Sequence, residues 1–109
     1  IGYPQAGGFV KQDLLENNNS LVSSILNQMK AGTEWLNDNP DKAGEYADEL
    51  EIGIPGAVIA KSLPGSNIHF EYAGDVKPML EDYLKVLLDF SADTIGGKLP
   101  DDNFYYEAQ

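Results

Sequence analysis

The chain has 109 residues, a hydrophobic share of 42% and a formal net charge of −11, the length of one domain with apolar content enough for a modest core. Seven lysines and no arginine make up its basic inventory, so it lacks the basic footprint that nucleic acid or an anionic membrane surface requires and offers no bidentate clamp for a carboxylate, sulfonate or phosphate. The absence of cysteine excludes a disulfide scaffold, a thiolate zinc site and a cysteine nucleophile.

Gly2-Tyr3-Pro4-Gln5-Ala6-Gly7-Gly8 reads as a Pro/Gly-rich connector. Phe9-Val10-Lys11 reads as a short extended segment, and Leu14 and Leu15 start an apolar pattern that three asparagines, 17–19, interrupt. Asn19 or Ser20 can cap a helix, and Leu21, Val22, Ile25, Leu26, Met29, Thr33 and Leu36 follow at helical spacing. The spacing predicts an amphipathic helix over 20–37 with one buried face, in which Gly32 offers room for a close helix contact. Asn39-Pro40 ends it and starts another. Asn39 is suited to cap that helix, and Pro40 suits its first position because no N–H is needed there.

The acidic segment up to Leu50 carries Ala43, Tyr46, Ala47 and Leu50 on one side. A third, short helix is expected from Gly53-Ile54-Pro55 to the stop at Leu63-Pro64-Gly65. Ile68, Phe70 and Tyr72 alternate with His69 and Glu71, the period of a half-buried strand. Asp75 is placed to cap a helix over 76–90, with Pro78 in its first turn. Its apolar stripe is Val76, Met79, Leu80, Tyr83, Leu84, Leu87, Leu88 and Phe90. From Ser91 the chain is turn-like. Opening at Ile1 without a methionine, it reads as a piece of a longer protein.

Reaction chemistry is not visible in this pattern, and the expectation is that the chain is not an enzyme and needs no cofactor. His69 is the single histidine; with no second His or Cys to share a metal or a proton, it is expected to face solvent. Residues 34–51 hold seven carboxylates and one lysine, and Asn37, Asn39 and Asp41 imitate the first ligands of a calcium loop. Lys42 stands where such a loop needs glycine. A solvated acidic face is the better reading. Gly97-Lys98 imitates a phosphate loop but is followed by Leu99 instead of Ser or Thr. Tyr3 and Gln5 are the candidate ligand-binding residues, since a tyrosine beside a Pro/Gly connector brings a flat apolar face and one polar tip. Phe104, Tyr105 and Tyr106 read as packing anchors that pin a terminus.

Several blocks carry a resemblance. Glu34-Trp35-Leu36-Asn37-Asp38-Asn39-Pro40-Asp41-Lys42-Ala43, Ile54-Pro55-Gly56-Ala57-Val58-Ile59, Leu63-Pro64-Gly65-Ser66-Asn67-Ile68 and above all Ile95-Gly96-Gly97-Lys98-Leu99-Pro100-Asp101-Asp102-Asn103-Phe104-Tyr105-Tyr106 resemble the last third of the type II periplasmic-binding-protein-like family. These are substrate-binding proteins of bacterial ABC transporters related to nitrate, sulfonate, taurine and thiamine-precursor binders. Position 65 is Gly where relatives often carry Arg, and Ser91-Ala92 stands where many have Asn-Pro.

The resemblance implies a parent α/β fold of two lobes around a cleft, of which this segment is a mostly α-helical part with one or two short strands. Residues 1–8 would be the hinge connector and 9–109 the C-terminal part of a lobe. It further implies a small-molecule ligand, an ABC permease in the membrane as partner, no nucleic acid, and a periplasmic or extracytoplasmic location, with lipoprotein attachment compatible. Self-association of the segment is expected from apolar stripes that lack their sheet. The residues by themselves leave a second reading open, an independent acidic helical protein-interaction module.

Overall fold

The structure is a computed structural model that describes residues 3–108; Ile1 and Gly2 of the expected connector, and Gln109, lie outside the described residues. The described residues are mostly helical, 63% of them, and no strand forms among them. The α-helices are α1 (Gln12–Asn17), α2 (Asn19–Asp38), α3 (Pro40–Glu49), α4 (Gly56–Ser62) and α5 (Lys77–Phe90). Three 3-10 turns follow α4 and α5, at Leu63–Gly65, Ala92–Ile95 and Asp102–Phe104. Contacts divide the chain into two units, Ser20–Phe70 and Ile1–Asn19 with Glu71–Gln109.

In the unit Ser20–Phe70, α2 stops where proline denies the next turn a donor. Asn39 leaves helical geometry at φ −133°. Its backbone N–H and its side-chain Nδ2 both donate to the Trp35 carbonyl, at 2.9 and 3.0 Å. The amide thus closes the end of α2 and does not cap α3, as the sequence suggests it should. Trp35 stacks on Tyr46 of α3, centroids 5.5 Å apart and planes 19° from parallel. This stack joins the two helices.

Helices α3 and α4 meet through small residues. Ala43, Gly44 and Ala47 of α3 and Gly56 of α4 are buried. A Cβ on Gly44 would overlap the Gly56 carbonyl oxygen and approach Ala60 Cβ to 3.2 Å; one on Gly56 would overlap the Gly44 carbonyl. The two backbones therefore touch, which only glycine at both positions allows. Gly32, the glycine expected to permit a close contact, has open space around its Cβ position.

Asp48 Oδ1 accepts the Gly56 N–H at 2.7 Å, so an α3 carboxylate serves the otherwise orphaned donors at the start of α4. Helix α3 ends in a Schellman arrangement, with Ile52 N–H donating to the Ala47 carbonyl at 3.3 Å and Glu51 N–H to the Asp48 carbonyl at 3.2 Å. The left-handed residue of that motif is Glu51, φ 52°, where a side chain is strained. Glu51→Gly should raise stability by about 0.5–1 kcal/mol, the relief of strain less the added freedom of the unfolded chain; urea melts of the two chains would measure it.

The strand expected over 68–72 is absent. The alternation in burial is present only in part: Phe70 and Tyr72 are half-buried between exposed His69 and Glu71, but Ile68 is itself exposed. What is missing is a neighbouring strand to complete a ladder. The Ile68 carbonyl instead accepts Asn37 Nδ2 at 2.8 Å. Phe9-Val10-Lys11 likewise enters no ladder.

In the other unit, α5 begins without the expected Asp75 cap: Val76 holds the N-cap position and no side chain bonds the first turn. The turn is held by backbone bonds, Asp75 N–H to the Tyr72 carbonyl at 3.0 Å and Leu80 N–H to the Val76 carbonyl at 3.0 Å. Past α5, Gly96 and Gly97 take φ 77° and 90° in succession, and Gly97 N–H donates to the Ala92 carbonyl at 2.8 Å. The double glycine is what lets the chain reverse after the 3-10 turn.

The buried apolar residues are Val22, Ala43, Ala47, Leu63 and Tyr105. The expected buried stripes are thus only partly realised. On α2, Leu21, Ile25 and Met29 stay exposed beside buried Val22; on α5 the stripe is half-buried from Val76 to Leu88 and its last residue, Phe90, is 85% exposed, as is Val86, outside the stripe, at 65%.

Candidate functional site

A dense set of specific side-chain contacts lies in the unit that holds α5 and the tail. Tyr105 is 3% exposed. Phe104 meets it edge-on, centroids 5.3 Å apart and planes at 90°. Lys77 Nζ sits 5.4 Å from the Tyr105 ring centre and donates to Asp102 Oδ1 at 2.5 Å. Glu81, one turn along α5, is 4.0 Å from the same ammonium. Gly74 N–H donates to the Tyr106 carbonyl at 2.8 Å, and Tyr72 and Tyr106 lie with ring centres 6.2 Å apart. Asp101 Oδ1 accepts Asn103 N–H at 3.1 Å and starts the last 3-10 turn. The tail is thereby strapped along the start of α5, the anchoring role expected of Phe104, Tyr105 and Tyr106.

The Tyr105 hydroxyl is enclosed with no hydrogen-bond partner. Burial pushes this phenol above its ordinary value near 10.0, with Glu81 adding to the effect and Lys77 opposing it. The hydrogen bond from Lys77 holds the Asp102 carboxyl below its ordinary 3.8, and attraction of the ammonium adds to it. Lys77 is raised above 10.5 chiefly by the same bond.

These directions fix a pH profile for the strap. A depressed carboxyl contributes above its unfolded value and loses that contribution as pH falls through the folded one; a raised lysine or phenol contributes below its unfolded value and loses it as pH rises through the folded one. Tail attachment should therefore be flat between about pH 5 and 9, loosen in acid below the ordinary aspartate range and loosen in alkali above about 10. Asp102→Asn should abolish the acid-side step and, because the Lys77 shift depends on the same bond, leave in alkali only the part that the buried Tyr105 phenol contributes, which amide exchange at Gly74 and Asn103 would follow.

Of the two ligand-binding candidates, Tyr3 joins this unit. Its ring stacks on Tyr83 of α5, centroids 5.4 Å apart and planes 4° from parallel, and it remains 61% exposed. Gln5 is exposed at a bend two residues on. Further along, Phe9 meets Phe104 with centroids 6.1 Å apart. Sequence reasoning placed Tyr83 only in an apolar stripe; its partnership with Tyr3 carries no spacing signal. Lys77 and Glu81 did carry one, the i,i+4 interval of a helix ion pair.

The remaining candidates behave as surface. Asn37 and Asn39 spend their amides on the Ile68 and Trp35 carbonyls, and no group of three or more potential metal ligands forms among the described residues. His69 is exposed. Shallow depressions flank the α3–α4 contact, one lined by Asp41, Gly44, Glu45, Asp48 and Gly56. Lys42 bonds Glu45 on that surface and lies 5.2 Å from the Tyr46 ring centre. No helix among the described residues is long and apolar enough to cross a membrane. Comparison with protein-family models, with curated proteins and with solved structures finds no match.

Proposed function

We propose that this chain is the helical C-terminal part of the solute-binding component of an ABC import system, which holds a small molecule in a cleft between two α/β lobes and delivers it to a membrane permease. The observation that carries the reading is the pair of long amphipathic helices, α2 and α5, on which large apolar side chains stay exposed, Leu21, Ile25 and Met29 on the first and Val86 and Phe90 on the second. Helices that flank a sheet in an α/β lobe present such faces when the sheet is contributed by another part of the protein. The tail block supports the same reading, since its two left-handed glycines and its aromatic strap give its residues a definite structural task. On this reading the site is periplasmic or otherwise extracytoplasmic, the chain supplies Tyr3 and Gln5 toward the ligand, and it performs no catalytic step and holds no cofactor.

The test uses the intact gene product. Calorimetric titration with nitrate, taurine and an aminopyrimidine should show saturable binding of one of them, with a fall in radius of gyration by X-ray scattering as the lobes close. A product that binds none of the three, or whose remaining sequence encodes no α/β lobe, would overturn the reading. The alternative, an acidic helical interaction module, is favoured by the net charge of −11 and by the absence of any strand among the described residues. It requires a protein partner with a basic or apolar surface, and a gene product limited to this chain would support it.

A further inference from the structure

The connector leading into α1 has an unusual attachment. Among the described residues, the backbone of residues 3–10 makes no hydrogen bond. Two aromatic contacts hold it instead: Tyr3 lies face to face on Tyr83, and Phe9 tilts against Phe104. The first is the better built. The Tyr83 ring is half-buried on α5, so it is a fixed seat, and the 4° angle between planes sets the orientation of Tyr3 and with it the direction in which Gln5 leaves. Phe9, 83% exposed, adds a looser second point. A Pro/Gly-rich segment without ladder or helix bonds would otherwise sample many directions.

We infer that Tyr83 is a positioning residue: its ring clasps Tyr3 and so fixes the connector that carries the ligand-binding candidates. The clasp stands on the geometry alone; its relevance to ligand binding rests on the function proposed above. Tyr83 touches no ligand in this scheme. It orders a neighbour that does, and the removal of its ring lowers the fraction of molecules whose connector is correctly set.

Two readouts in the intact gene product test this and keep the two claims apart. The first is cleavage within residues 3–9 by a low-specificity protease, which reports the open connector. A stacked aromatic pair contributes about 0.5–1.5 kcal/mol, so Tyr83→Ala should speed cleavage about two- to twelvefold. Tyr83→Phe, which keeps the ring, should cleave at the parental rate. Tyr3→Ala should give the same acceleration from the other side of the stack without altering α5, and the double variant should add little to either single one. Unchanged cleavage in Tyr3→Ala, or a Tyr83→Phe rate equal to that of Tyr83→Ala, would overturn the clasp. The second readout is titration with nitrate, taurine and an aminopyrimidine. Tyr83→Ala should weaken whichever binds by up to the same factor, and Tyr83→Phe should restore it. If the parental protein binds none of them, the proposed function fails while the cleavage rates still decide the clasp; if Tyr83→Ala binds as well as the parent despite faster cleavage, the positioning role is wrong.

Discussion

Replacing Gly56 by alanine should separate α3 from α4. In an ordinary exposed helix that substitution gains up to about 1 kcal/mol, because alanine loses less backbone freedom on folding. Here the new methyl would fall on the Gly44 carbonyl oxygen and within 2.5 Å of Asp48 Oδ2. The obstacle is backbone, which cannot rotate away as a side chain would, so the helices must part. The Asp48 hydrogen bond to the Gly56 N–H stretches with them, and a carboxylate that served the first turn of α4 loses its donor. Overpacking of this kind costs about 1–3 kcal/mol, more where the structure cannot yield, and the lost charge-assisted bond adds about 1 kcal/mol. A net loss near 3 kcal/mol is expected, read as a lower urea midpoint. Asp48→Asn, which keeps the acceptor and removes the charge, should lose only the smaller part. A Gly56→Ala chain of parental stability would show that the two helices are not in backbone contact.

The second large effect concerns the uncovered faces. As an isolated 109-residue chain, the protein should associate at micromolar concentration, sedimenting as a dimer or larger species. Large apolar side chains stay exposed on its two long helices, and such patches favour an apolar interface with a second copy. Val86 and Phe90 on α5 and Leu21, Ile25 and Met29 on α2 are the residues that supply it. The net charge of −11 opposes like-with-like association, so the assembly should strengthen as salt rises and screens the repulsion. Phe90→Glu removes a large apolar side chain from the interface and adds a further repulsive charge. With about 1.5–3 kcal/mol for the aromatic burial alone, it should weaken association at least about tenfold. A clean monomer at high salt would mean that these faces have no tendency to be covered by a second copy. On the function proposed above, the rest of the protein would occupy the same faces and the salt dependence would be lost.

What the sequence disclosed follows from which physics is local. The helix expected over 20–37 runs Asn19–Asp38, the one over 76–90 runs Lys77–Phe90, and Pro40 opens α3 as expected. These boundaries depend on apolar spacing and on prolines, which act within one turn. The strand over 68–72 failed because alternation describes two faces and a ladder needs a second chain segment, about which local spacing is silent. The caps failed for a related reason: an asparagine at a helix junction can close the helix behind it or cap the one ahead, and its identity does not decide between them. The close contact was assigned to Gly32 because it interrupts a long helix, yet Gly44 and Gly56 make it; the pairing of two distant glycines is a property of the fold. The same holds for the candidate site. Tyr3 could be singled out from its Pro/Gly surroundings, whereas Tyr83 could be recognised as its seat only once the two rings were placed together.

Trp35 is the chain's one tryptophan, and it lies in the unit Ser20–Phe70, stacked on Tyr46. The other unit, with α5, the connector and the tail, contains none. Intrinsic tryptophan emission is therefore a local witness: it reports the α2–α3 junction and is blind to whether the tail is seated. Circular dichroism averages over the helices of both units. A melt followed by the two signals together separates a chain that unfolds as one cooperative body, whose curves coincide, from one whose halves let go independently, whose curves part.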